Sequence, residues 1–202
     1  MAEAKERSKF RIESLSDMIF GLALSIGALT LIGNAPSSFT ALVSSILLYA
    51  FSFLILIIVW RSYTRTMVEL HLETRSALNL NILLLFLVLI EPFLFNELFS
   101  PISSQEVSTL YALDLAGLYA VLALFAGFIA SDKSRSEEVV RRFRTIRNTL
   151  IIAVAIFVLS IIPIFWTLTI PIGAGVSVPM RVILWIIPLL MHPIIGLLPK
   201  NG

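Results

Sequence analysis

Residues 11–33 read RIESLSDMIFGLALSIGALTLIG. A cation, a hydroxyl and a carboxylate, namely Arg11, Ser16 and Asp17, stand just before an uncharged run that is long enough for a membrane helix. Ionisable side chains at membrane depth are costly, and they usually face the interior of a helix bundle or a water-filled path. The first apolar segment is therefore the candidate functional element of this chain.

The composition of the whole chain is that of an integral membrane protein. Its 202 residues are 58% hydrophobic and 14% charged, whereas the apolar share of soluble domains is about 45–50%. The first apolar segment lacks a small-residue cleavage site, and another apolar run follows it, so we expect a retained helix and not a signal peptide. The absence of cysteine excludes disulfides and thiolate metal sites.

Six apolar stretches have the length of a membrane span, which needs about 17–25 residues. They are residues 17–33, 40–60, 78–98, 110–130, 150–166 and 178–198. The connections between them are short, which favours antiparallel neighbours in one bundle. The sequence therefore predicts an all-α membrane protein, with residues 1–202 forming a single six-helix transmembrane domain.

Lysine and arginine are distributed unevenly between the connections. They concentrate in residues 5–11, 61–75 and 133–147, which the alternation of spans places on one side of the membrane. Positive residues in short loops mark the cytoplasmic side, so both termini are predicted to be cytoplasmic, and Arg181 departs from the pattern. Glutamates early and arginines late in residues 134–147 predict a helix that continues into the fifth span. Anchoring explains these arginines, and anionic lipid is the alternative.

One face of the first span carries bulky apolar side chains. Leu22, Ile26 and Leu29 follow helical spacing and form a ridge, with Ser25 beside it, while small residues lie on the other faces. Small residues allow close approach of neighbouring helices. The ridge either contacts lipid or another helix, or it lines a functional surface.

Polar residues occur at the ends of the other spans. Trp60 closes the second span and is either an interfacial belt residue or an indole donor. Asn81 lies near the cytoplasmic end of the third span, at the same depth as Asp17 in the first span. Its side-chain amide needs hydrogen-bond partners in hydrocarbon. Glu91 and Asp114 lie towards the opposite ends and are expected to be hydrated. Ser16 and Asp17 themselves form either a helix cap or part of a polar network.

The chain lacks the sequence motifs of several functional classes. The chain has no HExxH, GxSxG, Walker A or GxGxxG motif and no acidic or histidine pair at metal-ligand spacing. The middle of each span has no charge, so the carboxylate and histidine relay of a proton-coupled pump is missing. A TVGYG-like carbonyl filter is also missing. We predict neither an enzyme nor a bound cofactor or metal.

The first helix resembles the RxxxFSD signature of the transmembrane protein 175 family of potassium channels. The signature positions are held by Arg11, Leu15, Ser16 and Asp17. Trp60, Asn81 and the Pro-Phe pair at 92–93 look like further hallmarks of the family, and six spans is the length of one family repeat. The resemblance is close in the first half of the chain and topological in the second.

This resemblance implies a channel in a prokaryotic plasma membrane, with self-association into a homotetramer, contacts with lipids and no nucleic acid. The first helices would line a central pore that passes potassium, with Leu22 at the main constriction, Ile26 and Leu29 in further apolar layers and Ser25 supplying a hydroxyl. The signature residues would form the network that orients these helices, supported by Trp60 and Asn81.

Two positions depart from the family pattern. Leu15 replaces a phenylalanine, and Tyr63 stands where many relatives have a histidine, so the polar network must be completed differently. A small-solute or ion-coupled secondary transporter with its site near Asp17, Ser25 and Asn81 is the alternative, although the paired polar breaks of such carriers are missing. A non-conducting scaffold is a third possibility.

Overall fold

The computed structural model describes residues 2–33, 38–70, 74–98, 105–173 and 176–197. The chain forms two compact units, Met1–Ser103 and Ser104–Gly202. In the described residues, each unit is built around long apolar helices, and the second unit also contains one small hairpin.

Unit 1 consists of three helices, α1 (Ala2–Gly33), α2 (Phe39–Glu69) and α3 (Arg75–Leu98), and α1 packs against both of the others. The first three predicted spans lie within these helices. The charged segment before the first span is helical as well, because α1 continues without interruption from Ala2.

Close packing in unit 1 depends on a small residue in α1. A Cβ atom on Gly27 would lie 3.4 Å from the ring of Tyr49 on α2 and 3.8 Å from the Cβ of Pro92 on α3. The same atom on Gly21 would have nothing within 4 Å. The small residues of α1 therefore serve two different faces, and Gly27 belongs to the packed one.

Unit 2 contains α4 (Gln105–Ser131), α5 (Glu137–Leu159), α6 (Ile164–Thr167), β1 (Thr169–Gly173), β2 (Val176–Pro179) and α7 (Met180–Leu197). The helix predicted from residues 134–147 is present. It begins after Ser136, whose side chain accepts a hydrogen bond from the backbone of Val139, as expected for an N-cap.

The fifth predicted span, residues 150–166, is not one helix. The helix α5 ends at Leu159, a turn leads to Pro163, and α6 begins after it. Residues 167–179, expected as a plain loop, contain an antiparallel β1–β2 hairpin in which Thr169 pairs with Pro179 and Ile170 with Val178. Proline cannot continue the hydrogen-bonding of a helix, and β-branched residues favour extended pairing.

Four of the described helices are long and apolar enough to cross a membrane: Lys9–Leu29, Ser45–Glu69, Arg75–Leu98 and Gln105–Ser131. A shorter apolar helix covers Met180–Met191, and α5, with its charged first half, is not among the four. The protein is therefore a membrane protein. The count of six spans and the side on which the termini lie stay predictions.

Candidate functional site

Helix α1 has one face that is buried inside unit 1. Ser16, Phe20, Ala23 and Gly27 are buried, and they recur alternately four and three residues apart. This spacing keeps them on one side of a helix. The buried face is the one through which α1 contacts α2 and α3.

The opposite face of α1 is exposed although most of its side chains are large and apolar. It consists of Arg11, Leu15, Met18, Leu22, Ser25 and Leu29. We call these six residues the open stripe. They also recur four and three residues apart, so they lie along one side of the helix. Ile26 is half-buried and lies at the edge of the stripe.

The hydroxyl of Ser25 donates a hydrogen bond to the carbonyl of Gly21 in its own helix, at 2.8 Å. A hydroxyl carries one hydrogen and two acceptor lone pairs. Because the hydrogen is used inside the helix, the exposed side of Ser25 presents acceptor oxygen to whatever lies along the open stripe.

Ser16 is the centre of a buried polar cluster. Its hydroxyl donates to the carbonyl of Ile12 at 2.8 Å, accepts from the phenol of Tyr63 at 2.7 Å, and accepts from the amide nitrogen of Asn81 at 3.4 Å. One donor and two acceptors complete the capacity of a hydroxyl. The phenol of Tyr63 is thus the group that completes the network in this chain.

Asp17 lies beside this cluster and accepts a hydrogen bond from the indole nitrogen of Trp60 at 3.0 Å. Arg11 and Leu15 are exposed, and neither contributes a side chain to these bonds. A helix cap at Ser16 and Asp17 is wrong, because both residues lie in the middle of a helix that begins at Ala2.

The expected hydration of Glu91 and Asp114 is also wrong, because both side chains are buried. The hydroxyl of Ser52 on α2 lies 3.2 and 3.1 Å from the two carboxyl oxygens of Glu91. Asn81, Leu84, Val88, Glu91 and Phe95 of α3 are all buried and repeat three and four residues apart. That periodicity was the sequence signal for the burial of Glu91.

Unit 2 holds a polar cluster that the sequence analysis missed. Arg181 is fully buried. Its Nε donates to the carbonyl of Ser160 at 2.6 Å and its Nη2 to that of Ile161 at 2.9 Å. These carbonyls lie just beyond the end of α5, where helical partners run out, so the guanidinium supplies the missing donors.

The same guanidinium reaches the first turn of α4. Its Nη1 donates to the hydroxyls of Ser108 and Thr109, the latter at 3.2 Å, and to the carbonyl of Gln105 at 3.4 Å. Arg181 therefore joins the start of α4, the end of α5 and α7. Its signal in the sequence is a lone cation after 33 uncharged residues, 148–180.

The residues proposed for a carrier site do not converge. Ser25 lies on the exposed face of α1, Asn81 is buried against Ser16, and Asp17 is bonded to Trp60. Among the residues that the structure describes, no group of three or more histidine or acidic side chains is arranged to hold a metal ion.

Comparison with known proteins gives one sequence family and one structure. The family model of the endosomal/lysosomal potassium channel TMEM175 matches residues 11–92. The chain is similar in structure to a variant of the potassium channel MtTMEM175, crystallised with a nanobody–MBP fusion protein, with a TM-score of 0.59 and 17% identity over 92% of this chain and 91% of that chain. No curated protein matches the chain. The structural likeness covers both units, whereas the sequence match covers helices of unit 1.

Proposed function

We propose that this protein is a potassium-preferring cation channel of the cell membrane, because the TMEM175 family model matches residues 11–92. The family predicted from Arg11, Leu15, Ser16 and Asp17 is confirmed by that match. In the proposed assembly, four copies of the chain surround a central pore lined by α1, and both termini are cytoplasmic.

The open stripe of α1 is the observation that carries this proposal. Leu22 is 52% exposed, yet the opposite side of the same helix is buried in close contacts. A helix that only faced lipid would have no need of a hydroxyl in line with its leucines, and Ser25 lies between Leu22 and Leu29 on this exposed face. Four such stripes facing a common axis would bury the leucines against one another and leave Ser25 in the pore.

The four Leu22 side chains would form the narrow apolar throat. Leu29 lies about 10 Å further along the helix and would form a second ring, while Ser25 lies between the two. An apolar constriction gates a pore by excluding water. Since a bare ion without ligands is very costly to bury, the passing cation keeps part of its hydration shell, and potassium gives up water more readily than sodium. The outward oxygens of Ser25 would assist that exchange.

The polar contacts of α1 would set the rotation of the pore helix. Ser16 is held by Tyr63 of α2 and Asn81 of α3, and Asp17 by Trp60 of α2, so two consecutive residues of α1 are bonded to its neighbouring helices. Leu22 follows Ser16 by about 9 Å along the axis. A helix fixed at this point presents Leu22 to the pore, and release of the contacts would let it turn.

Substitution of Leu22 by alanine tests the proposal. We expect Leu22→Ala to raise single-channel conductance several-fold and to lower potassium preference, because a shorter side chain widens and wets the throat. The measurement is a planar-bilayer recording of purified protein with potassium and sodium on opposite sides. Leu54→Ala is the matched control, since Leu54 on α2 is 56% exposed. Equal currents from the wild type and both variants would refute the constriction.

A secondary transporter is distinguished by kinetics. A channel gives a passive, voltage-driven and non-saturating potassium flux into liposomes, whereas a carrier gives saturable and coupled uptake. Native mass spectrometry of the purified protein adds the oligomeric state, for which we expect a tetramer. A monomer or dimer without flux would favour the scaffold instead.

A further inference from the structure

The exposed face of α5 changes its chemistry along the helix. Arg141 and Arg144 are exposed near its beginning, and Ile152 and Leu159 are exposed on the same face further along. Residues 149–159 contain no charge. A helix face that turns from arginine to large apolar side chains is expected where the helix passes from water into hydrocarbon, which places the boundary close to Thr149.

Neighbouring cations of this segment already have partners. Arg135 forms an ion pair with Asp132 at 3.3 Å, and the guanidinium of Arg142 lies 5.3 Å from the ring centroid of Phe143. Arg147 donates to the side chain of Asn148 at 3.2 Å. Hydrogen bonds from Ser134, with a smaller contribution from Arg135, hold the pKa of Asp132 below its ordinary value, so the Asp132 partner is charged.

The guanidinium groups of Arg141 and Arg144 differ from these. Both are exposed, and within the described ranges neither guanidinium donates a hydrogen bond or forms an ion pair. Residues three apart on a helix are neighbours, with Cβ atoms about 5–6 Å from each other. The pair therefore presents two free planar donors side by side.

The backbones of both arginines lie at or beyond the outer edge of the headgroup layer. Arg144 precedes Thr149 by about 7.5 Å and Arg141 by about 12 Å along the helix axis, and the headgroup layer is about 5–7 Å thick on each side of the hydrocarbon. Their long, flexible side chains would therefore extend towards the lipid phosphate. Glu137 and Glu138 lie beyond Arg141, farther from the apolar part of the helix.

We infer that Arg141 and Arg144 together bind the phosphate of an anionic phospholipid, of the phosphatidylglycerol class, beside α5. Guanidinium groups hold phosphate oxygens in bidentate pairs, and a positive pair next to an apolar helix face matches an anionic headgroup with its acyl chains. The site uses no residue of the open stripe of α1, so it does not depend on the proposed channel function.

Lipid retention by the purified full chain tests this site. Native mass spectrometry would compare dioleoylphosphatidylglycerol with dioleoylphosphatidylcholine, added in detergent at equal concentration. We expect Arg141→Gln with Arg144→Gln to lower retention of phosphatidylglycerol about tenfold or more, and to leave phosphatidylcholine unchanged. Lys133→Gln with Arg135→Gln removes the same charge from the preceding turn and should retain the lipid.

Two further measurements distinguish a specific lipid site from diffuse charge attraction and from a free-anion site. Arg141→Lys with Arg144→Lys preserves charge but not bidentate geometry, and should retain an intermediate amount. Inorganic phosphate at millimolar concentration should not displace the lipid, because it lacks the acyl chains. Equal loss in the two charge-removing doubles would show diffuse attraction only, and displacement by phosphate would show a free-anion site; either outcome overturns the proposal. Thermal unfolding of each variant checks that the fold is kept.

Discussion

Of an 18-residue apolar window within Lys9–Leu29 of α1, 22% is buried, whereas 67% of such a window within Gln105–Ser131 of α4 is buried. The polar contacts of the two units follow this difference. In unit 1 the polar contacts of α1 are made by Ser16 and Asp17, which hold this helix against α2 and α3. In unit 2, Arg181 is buried whole and joins three helices. The second unit uses polar contacts to close its own core, and the first uses them to hold α1 with its other face free.

The largest effect is expected in unit 2. Arg181→Met should destabilise the protein by about 3 kcal/mol or more, because the carbonyls of Ser160 and Ile161 and the hydroxyl of Ser108 would lose a buried donor. Thermal unfolding in detergent measures the change. Arg181→Lys keeps the charge, and its stability should lie between those of the wild type and Arg181→Met. Arg61→Met, at an exposed position of α2, should leave the stability unchanged. If Arg181→Met were as stable as the wild type, the cluster would not hold unit 2 together.

The two glycines of α1 sharpen the contrast between its faces. Gly27→Val should destabilise unit 1 by about 1–3 kcal/mol, because its side chain meets Tyr49 and Pro92. Gly21→Val carries the same β-branched cost within a helix but meets open space. Thermal unfolding of the two variants, compared directly, gives the packing contribution. Equal destabilisation would contradict the assignment of one packed and one open face.

The smallest effect is expected for the buried phenols of Tyr63 and Tyr119. Tyr63→Phe should cost about 1 kcal/mol, because it removes the hydrogen bond to Ser16 while the ring contact with Phe20 remains. The hydroxyl of Tyr119 in α4 is buried, and in the described part of the chain it has no hydrogen-bond partner. Tyr119→Phe should therefore be neutral or stabilising. Chemical denaturation in mixed micelles would resolve the difference, and the reverse order would remove Tyr63 from the network.

Local sequence patterns predicted much of this structure. Apolar length predicted the first three spans, and a capping residue predicted the start of α5 at Ser136. A short motif predicted the family whose model matches residues 11–92. The broken end of the fifth span was in part visible from Pro163, but the pairing of β1 with β2 was not. Strand pairing between Ile170 and Val178 depends on the chain reversing between them, for which residues 167–179 carried no decisive signal.

The sequence by itself determined that this is a membrane protein with helices at these positions and a bulky ridge through Leu22, because apolar length and helical period are properties of neighbours along the chain. Only the tertiary structure decided that Tyr63 bonds to Ser16, that Glu91 is buried and that Arg181 braces unit 2. Each of these contacts joins residues far apart in the chain, and which side chains can reach one another depends on how the helices pack.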